Sequence, residues 1–145
     1  MAMKLSTGKI AFPITFDNGD KETIFFNPND PGLSTRLKDF QGKVNERIHN
    51  ISDIKLKADG SPEDAEVIEE FRAVQNILFE ELDYAFGGDI SSKVFKHCSP
   101  FAVVDGEYFI LLFINAITPE IEKELEKANK KVQANMDKHI AKYMK

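Results

Sequence analysis

The chain has 145 residues, a formal net charge of −5, one cysteine and no tryptophan, enough for one domain around one core and too short for two comfortable ones. An apolar share of 42% beside a charged share of 30% excludes a disordered chain, and the acidic balance argues against a generic nucleic-acid binder. A single cysteine, Cys98, excludes an internal disulfide and points to a reducing compartment.

Twelve Phe against three Tyr mark the aromatics as core material, since Phe buries area without a polar handle. Charge is unevenly spread. Residues 59–89 hold ten acids and only Arg72, whereas residues 127–145 hold six Lys against Asp137. Such asymmetry speaks to partners rather than to fold. The opening residues 1–6 lack an apolar h-region, so no secretory signal is expected. The most apolar run, 108–117, is about half of the roughly 20 residues that span a bilayer and reads as buried core.

In chain order, two β-prone runs flank Asn18-Gly19 and predict a β-hairpin over 10–26, with Asn18 and Gly19 both able to take positive φ. Pro13, without an N–H, places the first strand at an edge. The punctuation at 27–32 precedes a helix over about 31–57, with Asp30 or Ser34 as cap and Pro31 in the first turn. Its apolar stripe is Leu33, Leu37, Phe40, Val44, Ile48, Ile51 and Ile54. A second helix over about 62–86 opens on Ser61-Pro62 and carries Val67, Phe71, Val74, Leu78, Leu82 and Ala85. Ile68, Ile77 and Phe79 widen this stripe and predict contact on two sides. Gly87 or Gly88 supplies the left-handed stop.

A short helix over about 90–97 follows, capped by Asp89 or Ser91. Residues 101–104 fit a strand or the approach to a helix. Asp105-Gly106 would allow a second hairpin, but the unbroken run 108–117 favours a helix over about 107–117. Thr118-Pro119 is either a new helix start or a kink in one continuous helix. Beyond it Ile121, Leu125, Ala128, Val132, Met136, Ile140 and Tyr143 form a narrow stripe on a charged helix, acidic first and Lys-rich last, as the helix dipole favours. The expected architecture is mainly α (α+β), with a globular domain over 1–117 and an amphipathic C-terminal helix over 118–145.

No constellation of catalytic residues is expected. His97 and Cys98 are adjacent and so diverge by about 100° on a helix, too far to act as base and nucleophile. His49, His97 and His139 lie on separate segments without metal-ligand spacing. Glu80 and Asp83 share the face opposite the apolar stripe, with Glu81 near the stripe's border, and read as a solvated helix face, and Gly87-Gly88 lacks the context of a phosphate loop. No catalytic residue, cofactor or metal is expected, and no membrane association. The C-terminal stripe is the candidate partner surface: Ile121, Leu125, Val132, Met136 and Ile140, with Lys127, Lys130, Lys131 and Lys138 beside it. Its sign, opposite to that of 59–89, makes contact between subunits plausible, whereas Lys without interleaved Arg gives little base readout.

Three segments carry a resemblance. Phe25-Phe26-Asn27-Pro28-Asn29-Asp30-Pro31 leads into Leu33, Leu37 and Phe40. Leu82-Asp83-Tyr84-Ala85-Phe86-Gly87-Gly88-Asp89 leads into Lys93-Val94-Phe95. The apolar run 108–117 leads into a Lys/Glu-rich helix. In layout the chain is similar to siphophage tail-assembly chaperones from phages and prophages of Gram-positive bacteria. It departs from them at Lys96-His97-Cys98, where many have a glycine pair, and at the insertion-like 100–107. The resemblance implies a non-enzymatic protein of the bacterial cytoplasm that contacts the tape-measure or another tail protein and self-associates. The different expectation carried beside it is a small regulatory or anti-defence protein, binding nucleic acid or a host protein through the Lys-rich helix.

Overall fold

The computed structural model describes residues 2–57 and 65–143. The protein is mainly helical, with an N-terminal hairpin, about four helices and a long C-terminal helix. Strands β1 (Ile10–Thr15) and β2 (Lys21–Phe26) pair antiparallel, with Ile10 opposite Phe26 and Thr15 opposite Lys21. The turn closes through Gly19 N–H to the Phe16 carbonyl at 3.0 Å. Of the two residues expected at positive φ, only Gly19 adopts it (φ 91°). Asn18 works through its side chain, whose Oδ1 accepts the Asp20 N–H at 3.0 Å. Ile24 and Phe26 face inward and are buried, while Phe25 between them is exposed, the period-two alternation of a one-sided sheet.

Helix α1 (Pro31–Lys57) starts at Asp30, whose Oδ1 accepts the Gly32 N–H at 2.9 Å. Its expected stripe is the observed one: Leu33, Leu37, Phe40, Val44, Ile51 and Ile54 are buried, and Ile48 packs at the margin. Helix α2 (Ala65–Phe86) lies against it, and Arg36 on α1 donates from Nε to the Ala85 carbonyl at 3.0 Å. The expected start at Ser61-Pro62 lies outside the described residues. Leu78, Leu82, Ala85 and Phe86 are buried. Phe79 stacks on Phe95 at 5.5 Å, but Ile68 and Ile77 remain exposed, so among the described residues the second side of α2 is covered only at Phe79. The helix ends in paired bonds to the Asp83 carbonyl from Gly87 N–H (2.8 Å) and Gly88 N–H (3.1 Å), with Gly87 at φ 73°.

Helix α3 spans only Ser91–Val94, shorter than the expected 90–97. Phe95 leaves the helical path to pack between Phe79 and Phe109, whose ring centroid is 5.9 Å away. Asp105-Gly106, at φ 51° and 82°, forms the second hairpin, pairing β3 (Val103–Val104) with β4 (Glu107–Tyr108). Helix α4 (Phe109–Tyr143) therefore begins at Phe109, two residues later than expected. Loop carbonyls serve its first turn: Phe109 N–H donates to Ala102 (2.8 Å) and Ile110 N–H to Pro100 (2.9 Å).

Helix α4 runs through Pro119 without interruption. Thr118 sits inside it and does not cap a new one. Its hydroxyl donates to the Ile114 carbonyl at 2.7 Å and accepts from Gln41 Nε2 at 3.4 Å. Ile110, Ile114, Ile117 and Ile121 are buried in register, so one core takes residues from both sides of position 118. Rings of Phe12, Phe26, Phe86 and Phe113 touch in sequence at 5.9, 5.3 and 6.2 Å, joining the hairpin to α2 and α4. Among the described residues no helix is long and apolar enough to cross a membrane.

Candidate interaction surface

The helical period carries the apolar stripe of α4 from the core into open solvent. Ile117 and Ile121 are 2% and 3% exposed, and Leu125 still packs against the core. Ile121 and Leu125, expected to meet a partner, thus serve the protein's own interior. They continue the register of Ile110, Ile114 and Ile117 while α1 still lies alongside. There Leu37, Lys38 and Gln41 face Thr118, Ile121 and Leu125 across a groove of about 300 Å³.

From residue 129 to 143 every position is exposed. Val132, Met136 and Ile140 each leave about half their surface in water, at 55%, 52% and 49% exposure. Together with Asn135 and His139 they line a shallow apolar depression on the helix flank. The stripe ends on Tyr143, whose ring packs against that of His139 at 4.9 Å. Tyr143 falls in register with the other three and completes the surface.

The lysines divide into two groups. Lys127 pairs with Glu124 at 3.6 Å and Lys130 with Glu126 at 3.4 Å, within the helix. Among the described residues Lys131, Lys138 and Lys142 make no ion pair, and their 7- and 4-residue spacing lines one flank of the stripe. Asp137, the acid of this segment, accepts from Gln133 Nε2 at 2.9 Å.

The other candidates take structural roles. His97 bridges to the hairpin turn, with Nε2 3.1 Å from Asp20 Oδ2 and its ring edge-on to Phe16 at 4.7 Å. Burial pushes the Cys98 thiol up from its usual range, and the Asp17 charge adds to this, the reverse of an activated nucleophile. His49 lies on α1 and His139 on distal α4, so the structure does not bring the histidines together.

The acids at 80–83 are not one solvated face. Glu81 pairs with Arg47, both side chains less than one fifth exposed. Asp83 caps α3, its Oδ1 accepting from Ile90 N–H (2.9 Å) and Ser91 N–H (2.7 Å) and its Oδ2 from the Ser91 hydroxyl (2.9 Å). Glu80 is exposed, on the outer face of α2 with Ala73, Ile77 and Tyr84. That face was legible as a spacing of four and seven residues, but the stronger buried stripe masked it.

Comparison with protein-family profiles, curated proteins and solved structures returned no match.

Proposed function

We propose that this protein is a non-enzymatic assembly factor that acts by protein–protein contact through the distal half of α4. The observation that carries this reading is the run of fifteen exposed helical residues, 129–143, bearing Val132, Met136 and Ile140 at half exposure. An isolated helix of that length is marginal in water, and its stability ordinarily comes from burying an amphipathic face. A partner helix laid along the stripe would supply that burial. The sequence layout, similar to that of tail-assembly chaperones, supplies the biological setting: a phage protein in the bacterial cytoplasm whose partner is a tape-measure or other tail protein.

Co-expression of the full chain with a long helical tape-measure protein tests this. Capture is expected for the native chain and at least a tenfold loss for the triple variant Val132→Ser, Met136→Ser, Ile140→Ser. Equal capture by both would remove the stripe from the contact.

The row of Lys131, Lys138 and Lys142 favours a second reading, a regulatory or anti-defence protein that binds nucleic acid or a host protein. Three phosphate contacts would give a log–log salt slope of roughly −2.7 on duplex DNA. Binding indifferent to salt, or none, would exclude the nucleic-acid arm.

A further inference from the structure

We infer that the exposed stripe of α4 docks antiparallel on the outer face of α2 in a second copy of this chain. This rests on the reading of distal α4 as a protein-contact surface and names an occupant for it.

The two surfaces match in charge, length and handedness. On α2 the outward line is Ala73, Ile77 and Tyr84, with Ile77 39% and Tyr84 72% exposed. Exposed Glu69 and Glu80 flank it. On α4 the line is Val132, Met136 and Tyr143, with Ile140 on one side of it and Lys131, Lys138 and Lys142 on the other. Ala73 to Tyr84 and Val132 to Tyr143 are each eleven residues apart, as are Glu69 to Glu80 and Lys131 to Lys142. Each span is about 16 Å at the rise of an α-helix.

Orientation follows from the side on which the charges lie. At about 100° per residue, Glu69 and Glu80 are displaced roughly 50° from the α2 line, and the three lysines roughly 120° from the α4 line in the same rotational sense. When two helices pack antiparallel, flanks of the same sense meet; when parallel, flanks of opposite sense meet. Only the antiparallel arrangement brings Glu80 toward Lys131 and Glu69 toward Lys142. Glu69 is held at 3.2 Å by Arg72 on its own helix, an exposed pair that exchanges readily. The far flank carries Glu70 and the Arg47-bound Glu81 on α2 and Asp137 on α4, the last already held by Gln133.

An antiparallel pairing of two distal α4 segments would instead set one lysine row against another, and a parallel one would offer the lysines only Asp137, already held by Gln133. The charges therefore select α2, not α4, as the receiving surface. Donor and acceptor patches differ, so the contact is heterologous and yields a reciprocal pair, a ring or an open chain. A single helix pair falls below the roughly 1,200 Å² of a standard interface, so association is expected in the micromolar range or weaker.

Sedimentation equilibrium of the full chain across a wide concentration range tests the pairing with two charge-reversed variants. One carries Glu69→Lys and Glu80→Lys; the other carries Lys131→Glu, Lys138→Glu and Lys142→Glu. The native chain is expected to self-associate, and each variant alone to do so at least tenfold more weakly with an unchanged circular dichroism spectrum. Mixing the two variants is expected to restore association, since each then offers the other a complementary pair. A native chain that stays monomeric overturns the inference and leaves intact the reading that α4 serves a different protein. Undiminished association of the α2 variant, or no recovery on mixing, overturns the pairing itself. A native chain that self-associates but captures no tape-measure protein would instead refute the proposed function.

Discussion

Ser91 is held twice by Asp83, through its backbone N–H at 2.7 Å and its hydroxyl at 2.9 Å, so a residue near the end of α2 starts α3. Charge-assisted bonds of this kind are among the stronger ones in proteins. Asp83→Ala should cost about 2 kcal/mol in urea unfolding followed by circular dichroism, and Ser91→Ala about 1 kcal/mol. The double variant should cost little more than Asp83→Ala alone. Full additivity would mean that the two residues act independently.

Arg47 and Glu81 tie α1 to α2, but Glu81 Oε2 is buried without a hydrogen-bond partner among the described residues. Removing one partner strands the other, so Arg47→Ala should destabilise by about 2 kcal/mol. The apolar pair Arg47→Met with Glu81→Leu should return to within about 1 kcal/mol of the native chain. A double variant no more stable than Arg47→Ala would show that the ion pair itself holds the helices together.

The point at which α4 leaves the core can be located by truncating side chains along one stripe. Ile121→Ala removes a buried side chain and should cost about 3 kcal/mol. Val132→Ala, eleven residues on and 55% exposed, should stay within about 0.5 kcal/mol. Comparable losses in the monomer would mean that the distal stripe is packed after all.

Cys98 provides a pH-dependent readout. Burial first, and the Asp17 charge second, raise its pKa, so at any pH near 8 the folded chain holds less thiolate than the unfolded one. Alkylation by iodoacetamide should be slower in the folded protein, and its rate should still be climbing above pH 9. Asp17→Asn removes the smaller cause and should speed alkylation at pH 8. An unchanged rate would remove Asp17 as a contributor.

The helices and the first hairpin were legible because each is written in local periodicity or turn chemistry. Leu33 through Ile54 repeat every three or four residues, and that repeat is the buried face of α1. Asp83 was misread because its partners lie seven and eight residues away, beyond a glycine turn that no helical wheel includes. Residues 105–117 combine two signals that compete in any window. A two-residue turn makes the hairpin, and the apolar run then makes the helix. The candidate surface was half legible. Ile121 and Val132 occupy equivalent places in one stripe, and only the reach of α1 decides that the first is covered and the second is not.

That reach divides α4 into two regimes of amide exchange. Proximal N–H groups, under the core side chains of Ile110 to Ile121, can open only with the domain and should exchange at the rate of global unfolding. Those of 129–143, exposed at every position, belong to a helix that frays on its own. They should exchange orders of magnitude faster in the free protein and slow only on engagement. One unbroken helix therefore carries its own internal reference, with protons that report folding and protons that report occupancy.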